Sequence, residues 1–364
     1  MIMNNKPIHP LAQFLRLACL LALVLAGCGS PPAPLTSSGL LTLTPTSTPL
    51  PECGAAFSPA GFTPDGKSLV GVFQRMDTPG VALQLLDIKT MAAKTLLKTD
   101  EYVNAAALSP NGQTFAWALP DFSIQLIHLP DGKITATLTG HTGAIYALLF
   151  SPDGSRLYST SADWSIMVWD VAGQVKQASF QPVFLDNNVP GEVQGLGISP
   201  DGKTLITIPT YGNPRAWDTA TFKQVGEYRG GMVAGYTGSH ASYSPDGKYL
   251  AIGFTSGPGD TTLWRVADTT QLWSGGMMAG FAFSPDARLF AHTEQDVNNR
   301  NHIVIRSADG QSVIQTIPAL SEAPLMQLMF SPDSHMLVWM DGPGLRFWDI
   351  AGKGLLATYA APCQ

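Results

Sequence analysis

Few residues of this 364-residue chain have the type and spacing to do chemistry. The histidines past the first thirty residues are His128, His141, His240, His292, His302 and His335, scattered without metal-ligand spacing. A Gly-x-Ser-x-Gly elbow, a His-Glu-x-x-His pair and a Cys-x-x-Cys pair are all missing from the sequence. Most carboxylates fall in turn-like segments. These residues therefore point to a non-catalytic chain with no metal and no cofactor. The alternative is a hydrolase or oxidoreductase whose site is gathered from distant segments, which short motifs do not reveal.

One residue does carry covalent chemistry in its context. Lys6 and Arg16 precede an apolar run, Leu17 to Ala26, that is too short to span a bilayer as a helix. The run ends in Leu25-Ala26-Gly27-Cys28, which resembles the lipobox of bacterial lipoproteins. The resemblance implies that the Cys28 sulfur receives a diacylglyceryl group and that residues 1–27 are removed as a signal peptide. Two or three acyl chains anchor a protein firmly where one holds it only marginally. The expected location is a cell membrane or outer membrane, on the extracytoplasmic side. After Cys28, residues 29–52 are rich in Pro, Ser and Thr with Glu52 their only charge, so residues 28–52 read as a lipidated tether. Extended, that tether reaches ~75 Å, and as a coil ~27 Å. The formal net charge of −6 becomes −8 without Lys6 and Arg16, and no Lys/Arg cluster exists. That balance argues against nucleic acid as a partner.

The elements that must position everything else are announced by a corner repeated seven times. It reads Thr63-Pro64-Asp65-Gly66, Ser109-Pro110-Asn111-Gly112, Ser151-Pro152-Asp153-Gly154 and Ser199-Pro200-Asp201-Gly202. It continues as Ser244-Pro245-Asp246-Gly247, Ser284-Pro285-Asp286-Ala287 and Ser331-Pro332-Asp333-Ser334. Pro presets φ, Asp bonds the local backbone, and Gly takes the positive φ that closes the hairpin. Ala287 and Ser334 lack that freedom, so looser turns are expected in units six and seven. The corners recur every forty-odd residues with four strand-sized segments per period, which predicts an all-β, seven-bladed β-propeller with four antiparallel strands per blade across residues 53–364. Blade three shows the strands best: a, Ala144 to Phe150; b, Arg156 to Thr160; c, Ser165 to Trp169; d, Gln174 to Phe180.

This pattern resembles the WD-repeat β-propeller family. Blade three matches it most fully, with Gly140-His141, Asp163 and Trp169-Asp170. The resemblance implies a bracing network of His141, Asp163, a strand-b serine (Ser159 or Ser161) and Trp169. It also implies that the b–c and d–a loops share one face. Phe122, Asp163, Trp164, Tyr211 and, on the long d3–a4 loop, Phe184 are the candidate binding residues there. Their competing role is to cover gaps between blades. Because the chain begins at a1 and ends at d7, Cys53 and Cys363 flank the one missing link of the ring and are expected to form a disulfide. The expected function is a lipid-anchored scaffold that binds a protein or glycan partner at the cell envelope.

Overall fold

Seven four-stranded antiparallel sheets follow one another along the chain, each with its strands paired in sequence order. The structure, a computed structural model, describes residues 55–75, 80–182, 192–229, 233–234, 239–254, 261–275, 280–296, 298, 300–318, 325–342 and 344–360. They lie in a compact unit spanning residues 48–364. Blade three has its strands at Ile145–Phe150, Arg156–Ser161, Ile166–Asp170 and Val175–Phe180, within a residue of the expected bounds. A two-stranded ribbon, Tyr211–Gly212 with Val233–Ala234, is an addition that the repeat did not foretell.

The corners hold their shape through bonds within six residues. In blade three, Gly154 N donates to the Ser151 carbonyl at 2.8 Å. The Ser151 hydroxyl donates to Asp153 Oδ1 at 2.6 Å and accepts from Arg156 N at 2.9 Å. Gly112 is required twice over. Its φ is +66°, and a Cβ there would lie 2.4 Å from Cδ of Pro64 in the preceding blade's corner.

The expectation of looser corners in blades six and seven is corrected. Ala287 and Ser334 adopt φ of 59° and 63°, in the same left-handed region as the corner glycines, and keep the same backbone bond at 2.9 Å. Left-handed backbone costs an L-residue roughly 1–2 kcal/mol, and the Ser–Asp bonding of each corner offsets it. Ser334 adds a bond of its own, accepting from Asp286 N of blade six at 3.1 Å.

The blades stack face to face, and burial follows from that. Strands b and c lie between neighbours and are buried on both faces, as in Ile166–Asp170, so they read as apolar runs rather than alternating ones. Strand d lies at the outer edge and is largely exposed, as in Val175–Phe180. The apolar core accordingly divides into seven clusters among the described residues, each shared by two adjacent blades. The cluster that joins blade seven to blade one closes the ring, with Phe57 of the first strand edge-on to Tyr359 of the last at 6.0 Å.

Candidate functional site

The sharpest polar constellation is the one in blade three. The Asp163 carboxylate only accepts, so His141 Nδ1 carries the proton and donates to Oδ2 at 2.8 Å. His141 Nε2 then accepts from the Ser159 hydroxyl at 2.7 Å, and the Ser159 oxygen accepts from Trp169 Nε1 at 2.8 Å. The strand-b member is thus Ser159, while Ser161 instead donates to the Gly143 carbonyl. Asp163 also accepts from Thr142 N, Ser165 N and the Ser165 hydroxyl, and those bonds hold its pKa below the usual carboxylate value despite burial. Burial of His141 outweighs the pull of Asp163 and lowers the imidazole pKa, keeping it neutral.

Every proton in this chain is committed to a neighbour, so the constellation ties the segment before strand a and the b–c turn to strands b and c and leaves no free base or nucleophile. Replacing Ser159 with Ala leaves the indole N–H and the imidazole Nε2 buried and unpaired. We expect a loss of about 2–3 kcal/mol from that substitution, read as a shift of the urea midpoint. Ser159→Thr is expected to retain most of the stability, because Thr207 fills the same station in blade four and accepts from Trp217 Nε1 at 2.8 Å.

Three arrangements went unread in the sequence. Eight residues after the corner Ser stand Ser159, Thr207 and, in blade six, His292. There Arg306 takes the place of the blade's Trp and donates from Nε to His292 Nε2 at 2.9 Å and from Nη2 to Glu294 at 3.1 Å. In blade five Trp264 turns to Thr262 on its own strand at 2.9 Å. In blade seven Asp341 and Arg346 form a buried ion pair at 2.8 Å. Counting from each corner would have found His292. Among the described residues no group of three or more His, Cys, Asp or Glu is placed to hold a metal ion.

On the loop face, Trp164 is 46 % exposed and Tyr211 61 %, whereas Phe122 is half-buried. Phe122 and Trp164 occupy the same station of the b–c turn in adjacent blades, each directly after an Asp that caps the turn through the following Ser. Both sit at positive φ, 68° and 67°, a conformation uncommon for a bulky residue. Asp163, the fourth candidate, has both oxygens bound within the network. Phe184 lies outside the described residues, as do Cys28, Cys53 and Cys363.

Residues 132–170, which include most of blade three, match the family described as WD domain, G-beta repeat. The protein is a seven-bladed β-propeller, one stretch of which is similar to a WD repeat. It is similar to Protein groucho of Drosophila melanogaster, with 30 % identity over 43 % of this chain and 20 % of that protein. It is also similar to COMPASS component SWD3 of Saccharomyces cerevisiae, with 34 % identity over 30 % of this chain and 34 % of that protein. Periodic tryptophan protein 2 of the same yeast matches at 31 % identity over 34 % of this chain. The chain spans 13 to 34 % of the length of these relatives.

Proposed function

We propose that this chain is a non-catalytic WD-repeat scaffold, lipid-anchored through Cys28 on the extracytoplasmic side of a cell membrane or outer membrane, which binds a protein or glycan partner on its loop face. The observation that carries the binding role is the exposed Trp164, held with Phe122 at a backbone conformation that disfavours large side chains. Strain of about 1–3 kcal/mol persists where the surroundings impose it, and it clusters at functional positions. Aromatic side chains on such a rim bring large contact area at low entropic expense. The yeast SWD3 relative is, by its name, a component of a larger assembly, which fits an interaction role.

The lipidation reading rests on the Leu-Ala-Gly-Cys motif at residues 25–28 and on the tether that follows. The Cys53–Cys363 disulfide is supported by the Phe57–Tyr359 contact, four residues inside each cysteine. Measured bridges contribute about 2–4 kcal/mol, and a non-reducing mass map with both thiols free would remove this one. Partner recovery from solubilised membranes tests the binding face. We expect Phe122→Ala with Trp164→Ala to cut recovery at least tenfold while leaving the thermal midpoint within a few degrees. Equal recovery by the double variant rejects that face.

A further inference from the structure

Antiparallel pairing puts the a–b corners and c–d turns of every blade at one end of the ring and the b–c turns and d–a loops at the other. The two ends treat charge differently. At the corner end, carboxylates pair with a lysine two residues on, as in Asp65 with Lys67, Asp131 with Lys133, Asp201 with Lys203 and Asp246 with Lys248. At the loop end of blades two to four, Asp100, Glu101, Asp121 and Glu192 have no Lys or Arg partner among the described residues. The loops there, residues 100–104, 119–123, 139–144, 162–165, 181–192 and 210–214, contain no Lys or Arg at all. Lys176, on strand d of blade three, brings its ammonium beside Gly140 but pairs with none of these carboxylates. Asp121 accepts from the hydroxyl and the N–H of Ser123, and those bonds lower its pKa and keep it charged.

Apolar exposure is sorted by place as well. Among the described residues, every exposed large aliphatic side chain, from Ile134 to Leu356, stands on an outer strand d. The exposed aromatics are Tyr102, Trp164 and Tyr211, and all three stand at the loop end, at the entry to blade two and on the b–c turns of blades three and four. The backbone fixes each of them. Asn104 N, two residues past Tyr102, donates to the Ala118 carbonyl at 2.9 Å, and Trp164 N donates to the Ser161 carbonyl at 3.0 Å. Tyr211 pairs with Ala234 in the two-stranded ribbon. Rings held in this way lose little freedom when something docks on them. An indole or phenol face attracts the cation of a Lys or Arg side chain, and unpaired carboxylates beside the rings supply its counter-ion. An acidic segment would meet like charge across the same surface. A neutral glycan stacks on the rings without using the net charge.

Given the loop-face binding role proposed above, on which this rests, we propose that the loop end of blades two to four docks a Lys/Arg-bearing segment of a protein partner. Its cationic side chains lie over Tyr102, Trp164 and Tyr211 and face the unpaired carboxylates around them. The test is fluorescence anisotropy with the full folded protein and three labelled probes: the blocked peptide acetyl-Gly-Arg-Gly-Lys-Gly-Arg-Gly-amide, the same peptide with Glu at each charged position, and the neutral oligosaccharide cellohexaose. The basic peptide is expected to bind saturably and the Glu peptide not at all. Raising NaCl from about 50 to about 500 mM should weaken the basic peptide roughly fivefold or more. Tyr102→Ala with Trp164→Ala should weaken it about tenfold or more. Glu101→Gln with Asp121→Asn should weaken it about fivefold. Asp170→Asn with Asp349→Asn removes the same charge from the corner end, keeps the turn acceptors and should change binding less than about twofold. Thermal midpoints within a few degrees of the native value confirm intact folding. No saturable binding of the basic peptide, equal binding of the Glu peptide, binding unchanged by the aromatic substitutions, or an equal loss in the corner-end variant overturns the proposal. Binding of cellohexaose without the basic peptide assigns the face to a glycan and overturns it too. If the basic peptide fails while Phe122→Ala with Trp164→Ala still cuts partner recovery, the loop-face role stands and only the cationic partner falls.

Discussion

Replacing Arg346 with Met is expected to lower the unfolding free energy by about 3–5 kcal/mol. Asp341 is 1 % exposed and Arg346 7 %. The Arg346 guanidinium donates from Nε to Asp341 Oδ2 at 2.8 Å and from Nη1 to Thr358 Oγ1 at 2.8 Å, so it joins strands b, c and d of blade seven. Methionine matches much of the arginine stem but leaves a carboxylate buried without its cation. The loss of its cation by a buried carboxylate, rather than the lost bond, sets the size of the effect. Asp341→Asn in the Arg346→Met background should therefore recover a good part of the loss, because an amide brings no buried charge. The measurement is the denaturant midpoint of each variant. A single-variant loss below 1 kcal/mol would mean that water reaches Asp341.

Stability is expected to fall steeply as pH drops from about 6.5 towards 4. Burial, the first cause in each case, lowers the pKa of His141, His240 and His292, the last two to about 4. His240 stacks on Phe281 with ring centroids 4.1 Å apart. His292 packs on Trp273 and Phe290, takes the Arg306 bond at Nε2 and faces Glu294. In the unfolded chain each imidazole binds a proton near pH 6.5, while in the folded ring it does not. Below that value the unfolded state holds more protons, and each such histidine removes about 1.4 kcal/mol per pH unit until its folded pKa is reached. The contribution is thus fully present above pH 6.5 and lost on acidification. Asp163, with its lowered pKa, acts in the same direction at lower pH: its contribution is present above about 3.8 and lost below. Thermal midpoints between pH 8 and pH 4.5 check this, and His240→Phe should remove roughly one third of the slope. A flat profile from pH 7 to pH 5 would show that these imidazoles are not held neutral.

The corner chemistry is local: Ser151, Asp153, Gly154 and Arg156 satisfy one another within six residues, so the motif announces its turn wherever it stands. Seven such corners marked every blade, and the blade-three network was legible because His141, Asp163 and Trp169 hold motif positions. Ala287 and Ser334 show where local reading overreached. Propensity disfavoured their backbone, but a bond from the neighbouring blade and the shared Ser–Asp chemistry outweighed it.

By itself, then, the sequence determined the number of blades and the strand order within each, because those follow from φ preferences and side-chain bonds a few residues long, whereas the blade-three network joins residues 10 to 22 apart and was legible only through its resemblance to the WD-repeat pattern. Only the tertiary structure decided that Arg306 and His292 stand in for Trp and Ser and that Asp341 and Arg346 are sealed from water. Burial and pairing at those positions depend on side-chain volumes contributed by two blades at once, and no segment of chain carries that information alone.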